Sequence, residues 1–219
     1  MSRTINTAIP CTIEGHVAVI TMSNPPANTW TRNSLGALAE LIQALNADKN
    51  IYSLVITGQG DKFFSAGADL KLFANGSKQV AADMSTAFGR AFEVLSQFSG
   101  LSIAAINGYA MGGGLEVALA CDLRIAESQA QMALPEAAVG LLPCAGGTQN
   151  LAWLVGEGWA KRMILCGERV SAQQALAISL VEAVAEQGQA LVLAMQWAQQ
   201  SERQSPISIS ACKRLIQNA

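Results

Sequence analysis

The chain has 219 residues, 51% hydrophobic and 14% charged, a composition that excludes intrinsic disorder. Its 14 basic and 16 acidic residues are mixed along the sequence and leave a net charge of -2, so no basic stripe or tail invites nucleic acid. Mean hydropathy is +0.28, yet no apolar run approaches the ~20 residues of a spanning helix, and no membrane partner is expected.

Residues 1–10 hold no apolar signal-peptide core. Cys11–Glu14 and Val17–Met22 read as short β-branched strands joined by a Gly15-His16 turn, and Asn24-Pro25-Pro26 opens a loop. Leu35, Leu38, Leu41, Ile42 and Leu45 recur at helical spacing. A strand over 52–57 runs into a polar loop, and Met84, Phe88, Ala91, Phe92 and Leu95 mark a second helix. A buried-type strand over 103–106 is closed by Asn107-Gly108. Gly112, Gly113 and Gly114 then precede a short apolar helix over 115–120, with strands at 123–126 and 131–134. From Gly146 the pattern is mainly helical. Ser171 with Gln174 forms a capping-box start, and Ser205-Pro206 an Ncap-N1 start. Strands alternating with helices, then a helical end, predict an α/β fold. With no break in composition and no repeat, one domain over 1–219 is expected, its core about 11–185 and its helical region about 186–219.

The five cysteines, Cys11, Cys121, Cys144, Cys166 and Cys212, lack metal or redox spacing and read as free, mostly buried thiols in a reducing, cytoplasmic setting. His16 is the only histidine and reads as an ordinary surface or edge residue, so neither a zinc site nor a Ser-His-Asp triad is expected.

Three segments carry possible chemistry. In the first, Phe64 through Lys71, small residues after a strand let backbone N–H groups approach a ligand; the plain alternative is a tight turn with Asp69 as helix cap. In the second, Asn107 through Glu116, three adjacent glycines expose N–H donors at a helix start. Glu116 there is either an N3 capping carboxylate or a partly dry acid or base with a raised pKa. In the third, Glu136 follows Pro135 and is the only charged residue between Glu127 and Glu157. It is either a first-turn Glu after an N1 proline or a buried functional carboxylate. Two donor-rich turns and two carboxylates in apolar settings suit enolate chemistry on an acyl carbonyl.

Phe64 through Lys71, Ile106 through Glu116, and Leu134-Pro135-Glu136 through Gly147-Thr148-Gln149 resemble the enoyl-CoA hydratase/isomerase (crotonase) family, as does the looser Asn24 through Asn28. The likeness runs from about Val17 to the C-terminus. It implies a crotonase-like spiral of ββα units with a helical C-terminal region that drives a homotrimer or a dimer of trimers (a hexamer). It implies acyl-CoA substrates and a place in fatty-acid metabolism such as β-oxidation, with no cofactor beyond the CoA of the substrate and no metal. By resemblance Ala68 and Gly113 supply the oxyanion hole. Ala66, Ala68, Asp69, Leu70, Lys71, Gly112 and Gly113 border the substrate and its CoA, with Ala27 nearer the nucleotide. Glu116 and Glu136 match the two catalytic glutamates of hydratases, which favours hydration of a 2-enoyl-CoA. The alternatives are a 3-enoyl/2-enoyl-CoA isomerase and a non-catalytic acyl-CoA-binding subunit.

The sequence departs from the family at Cys144, where glycine is usual; it is expected only to pack. It ends at Ala219 near a helix resembling the penultimate family segment, where members usually continue with helices lining the acyl pocket or trimer interface. Trp30, Phe73, Phe88 and Trp153 are the candidate bulky pocket residues, with plain core packing the commoner role for each.

Overall fold

The computed structural model describes residues 2–5, 9–74 and 76–218; parts of the 1–10 stretch and Ala219, considered above, lie outside them. Strands β1 (Ser2–Ile5), β2 (Cys11–Glu14) and β3 (Val17–Met22) form an antiparallel meander, followed by helix α1 (Arg32–Ala47). Then come β4 (Ser53–Gly58), β5 (Phe63–Ser65), a 3-10 turn at Leu70–Phe73 and α2 (Lys78–Ser96). The next unit is β6 (Leu101–Ile106), β7 (Tyr109–Met111) and α3 (Gly113–Leu119). It is followed by β8 (Leu123–Glu127), β9 (Gln131–Ala133) and a second 3-10 turn at Glu136–Val139. The remainder is α4 (Gly147–Leu165), β10 (Val170–Ser171), α5 (Ala172–Ala177), β11 (Ala183–Ala185), α6 (Ala190–Ser201) and α7 (Pro206–Gln217).

One sheet has seven strands in the order β1-β2-β3-β4-β6-β8-β11, and a smaller one has four, β10-β9-β7-β5. In each pair β4/β5, β6/β7 and β8/β9 the first strand joins the large sheet and the second the small one, and a helix or helical turn follows. That repeat is a spiral of ββα units, as the resemblance implies.

The central strands are apolar on both faces because both faces are covered. Ala18, Ile20, Leu54, Ile56, Ala104 and Ile106 face the main core with α1, α2 and α3. Their neighbours Val17, Val19, Val55, Ile103, Ala105 and Ile125 face α6, whose Ala190, Ala194 and Ala198 form a small-residue stripe against the sheet. Each fully buried large side chain, such as Phe64 or Ile20, contributes roughly 1.5–3 kcal/mol. Helix starts follow the expected chemistry: Ser171 and Gln174 cap each other, and Ser205 caps α7 with Pro206 in its first turn.

Several expectations need correction. The strands β1, β5, β7, β10 and β11 were not anticipated; each has two to four residues, too few to show a period. The helix expected over 115–120 starts at Gly113. The cysteines are not mostly buried: Cys11 and Cys121 are, Cys144 is half-buried, and Cys166 at the end of α4 and Cys212 on α7 are exposed. His16 is half-buried at an edge, stacked on Tyr52 with its Nδ1 2.7 Å from Asn50 O. Among the described residues no helix is long and apolar enough to cross a membrane.

Candidate active site

Three parallel strands of the small sheet end at one place. Ser65 of β5 is in register with Ala110 of β7, and Ala110 and Met111 with Met132 and Ala133 of β9. Beyond the strand ends lie residues 66–68, the Gly112-Gly113 pair and Pro135-Glu136. Gly112 N donates to Ala133 O at 2.9 Å, locking the second segment to the third. The first and second segments touch: a Cβ at Gly67, whose φ is +83°, would stand 3.0 Å from Gly113 N. Glycine at 67 is therefore needed for both its backbone conformation and this approach.

Here Ala66, Ala68, Leu70, Gly112, Gly113, Glu116 and Glu136 line one cavity of about 510 Å³. Its wall also holds Phe73, Met84, Ser85, Phe88, Leu141, Leu142 and Cys144. Ala27, Asp69 and Lys71 lie beside it. Ala27 O accepts from Ala66 N at 2.9 Å, and Asp69 Oδ1 caps the 3-10 turn by accepting from Lys71 N at 3.1 Å. Lys71 is exposed. Of the bulky candidates, Phe73 and Phe88 line the cavity. Trp30 is instead core, packed edge-on to Phe92, and Trp153 is 79% exposed on α4.

Ala68 follows Gly67 in the first turn, held by Trp30 N donating to Gly67 O at 2.8 Å and Asp69 N donating to Trp30 O at 3.3 Å. Gly113 is the first residue of α3, so its N–H is one of the helix's orphan donors at the positive end of the dipole. A Cβ at Gly113 would meet the Phe88 ring at 2.6 Å, so the ring seals this turn from below.

Glu116 does not cap α3. It is the fourth helical residue, 2% exposed, and its Oε1 accepts from Ala145 N at 2.7 Å and Gly147 N at 3.0 Å, at the start of α4. Burial raises its pKa, and these two N–H bonds oppose the rise. The sequence reading missed the Ala145 and Gly147 amides as anchors. The Gly146-Gly147 pair was the signal: Gly146 takes φ +86°, and a Cβ at Gly147 would press 2.7 Å from Glu116 Oε1.

Glu136 sits in the first residue of its 3-10 turn, with Pro135 as the preceding cap rather than an N1 proline. Both carboxyl oxygens are buried and have no hydrogen-bond partner among the described residues. Oε1 lies 3.1 Å from where a Cβ on Gly112 would stand, which places the carboxyl beside the second donor segment. Burial, with Glu116 as a smaller contributor, pushes its pKa from 4.5 up to about 7. Cys144 packs between Ser85 and the carboxyls; burial, then Glu116, pushes its thiol up, which keeps it protonated. Among the described residues no group of three or more His, Cys, Asp or Glu is placed to hold a metal ion.

The arrangement joins two backbone donors on adjoining segments, one anchored carboxyl, and one carboxyl near neutrality with free oxygens. Such a set can polarise a carbonyl and move protons beside it.

A family model for enoyl-CoA hydratase/isomerase matches residues 12–219. The chain is 36% identical to the short-chain-enoyl-CoA hydratase of Clostridium acetobutylicum over 212 residues, 93% of this chain and 78% of the relative. It is 38% identical to the 2,3-dehydroadipyl-CoA hydratase of Escherichia coli over 206 residues, 93% of this chain and 79% of the relative. Among solved structures, Pseudomonas aeruginosa DspI superposes with a TM-score of 0.95 at 64% identity, covering 96% of this chain and 86% of that one.

Proposed function

The chain belongs to the enoyl-CoA hydratase/isomerase family, and from that premise we propose that this hydro-lyase adds water across the 2,3 double bond of a 2-enoyl-CoA to give a 3-hydroxyacyl-CoA. The observation that supports it most is the meeting of Glu116 and Glu136 in one apolar-walled cavity with the Ala68 and Gly113 segments. An isomerase moves one proton between two carbons and needs one carboxyl; hydration handles a water and a carbon proton, and two carboxyls suit it.

In this reading the Ala68 and Gly113 N–H groups take the thioester carbonyl oxygen and stabilise the enolate that forms. A donor of this kind contributes about 3 kcal/mol to the transition state. Glu116, with Oε1 held by two amides, uses its other oxygen to orient a water and accept its proton as the water oxygen bonds to C3. The C2–C3 π electrons move toward the carbonyl oxygen, and Glu136 then delivers a proton to C2. A carboxyl whose pKa is raised to about 7 is partly protonated at neutral pH, as a donor must be. Proton return from Glu116 to Glu136 resets the pair. CoA is part of the substrate, and the steps draw only on protein groups and water. Assembly as a homotrimer or paired trimers would cover exposed apolar residues such as Trp153 and Leu165, and the reducing setting assigned to the thiols is the cytoplasm.

The test is turnover of a short-chain 2-enoyl-CoA, followed by loss of the conjugated thioester absorbance. The wild type is expected to consume it with recovery of 3-hydroxyacyl-CoA, and Glu136→Gln to lose at least 10²-fold in kcat with its fold intact. Conversion of a 3-enoyl-CoA without any hydroxyacyl product would instead assign isomerisation.

A further inference from the structure

We infer that Ser65 is a positioning residue that aligns the two oxyanion-hole donors with each other. The inference rests on the hydration reading above for the identity of those donors. Ser65 is fully buried and is not part of the cavity wall, so it acts through the backbone it holds.

Three contacts converge on it. Its Oγ donates to Asn28 O at 2.7 Å and accepts from Gly67 N at 3.2 Å, which fixes the Ala66–Gly67 peptide, one peptide before the one that carries Ala68 N–H. Its carbonyl lies against α3: a Cβ on Gly114 would stand 2.0 Å from Ser65 O, so the first donor's strand rests on the second donor's helix. Its backbone is the last register residue of β5, opposite Ala110 of β7. Ala68 lies three residues beyond Ser65, and Gly113 three residues beyond Ala110. Equal lengths of chain therefore leave one rung of a parallel ladder and each ends on a donor. The ladder shifts register between Phe63 and Ser65, and without that shift the two lengths would differ by one residue.

The far end of the Ser65 hydroxyl bond is itself anchored. Asn28 is 5% exposed, and its Nδ2 donates to Gln59 O and Phe63 O, both at 2.9 Å. Its φ of +51° is uncommon for a residue other than glycine and is held by these bonds. The hydroxyl thus connects a fixed loop to the turn that aims Ala68 N–H. Without it Gly67 N loses its acceptor and the turn gains freedom, while every side chain that lines the cavity keeps its identity.

The test compares wild type with Ser65→Ala and Ser65→Cys. The cysteine variant fills the same place with a group that is a weak donor and weak acceptor. Kinetics on a 2-enoyl-CoA are paired with infrared spectra of a bound saturated acyl-CoA carrying 13C at the thioester carbonyl, a probe that cannot be hydrated. The expected result is a kcat lowered about tenfold to a hundredfold, below the 10²–10³ seen when a donor is deleted outright, with KM within threefold. The lowering of the carbonyl stretch on binding should also be smaller in both variants. A folded variant with wild-type carbonyl shift, or with kcat within twofold, overturns the assignment. So does failure of both variants to fold, which would make the hydroxyl a requirement of the fold. A wild-type protein that shifts the carbonyl yet forms no hydroxyacyl product fails the hydration reading alone, and the Ser65 comparison is then read from the carbonyl shift.

Discussion

Glu136→Gln should make the protein more stable at alkaline pH while removing its activity. A carboxyl whose folded-state pKa is raised holds its proton more tightly folded than unfolded. Stability from Glu136 is therefore full below about 4.5, falls as pH climbs from about 4.5 to about 7, and is flat above. The full interval corresponds to about 3 kcal/mol. Between pH 5 and pH 8, with solvent screening at a half-open cavity, about 2 kcal/mol remains. The amide carries no charge, so the variant lacks this penalty. Any effect of the amide on packing is the same at both pH values and cancels in the double difference. For a chain of this length about 2 kcal/mol is ~4–8 °C in Tm. Thermal unfolding of both proteins by circular dichroism at pH 5 and pH 8 is the assay. The Tm advantage of the variant should be larger at pH 8 than at pH 5 by that amount. An equal difference at both pH values, or a smaller one at pH 8, would refute the reasoning that burial holds the Glu136 carboxyl up.

Other consequences follow from the same geometry. kcat/KM for hydration should fall as pH rises through about 7, because the proton donor Glu136 is then ionised; a profile flat from pH 6 to pH 9 would remove it as the donor. Gly114→Ala puts a carbon 2.0 Å from the Ser65 carbonyl. It should cost about 1–3 kcal/mol or more in denaturant unfolding and lower kcat at least tenfold, since the two donor segments must part. Arg124 is buried, pairs with Glu182 at 2.5 Å and donates to Leu180 O and Cys121 O, both at 2.9 Å. Arg124→Met should therefore lower stability by about 3 kcal/mol. It touches no part of the cavity, so kcat per folded molecule should stay within twofold of wild type.

What could be read in the sequence followed the length and regularity of each signal. The apolar spacing of α1 and α2, the caps at Ser171 and Ser205, and the alternation of strands and helices were all legible because each rests on local chemistry. Most of the small sheet was not: of its four strands only β9 was read. The others have two or three residues, and Tyr109–Met111 is hidden against the glycines that follow it. Yet that sheet brings Ala68, Gly113 and Glu136 to one end, so the site's residues were legible while the reason they meet was not. Glu116 shows the same limit. A first-turn glutamate suggests a cap by sequence, but its partners are the amides of Ala145 and Gly147, some thirty residues on. Trp30 and Trp153 show that size alone does not place an aromatic in a pocket. One is held in the core by Phe92 and the other lies on an exposed face of α4.

The most direct test of the account is hydration in H2-18O. Purified protein is incubated with a short-chain 2-enoyl-CoA in labelled water, and the product is read by mass spectrometry against Glu116→Gln and Glu136→Gln. The account predicts 3-hydroxyacyl-CoA carrying the label at C3 from the wild type, with formation at least 10²-fold slower from either variant. Wild-type protein that binds the acyl-CoA and forms no labelled product, or variants that form it at the wild-type rate, would contradict it.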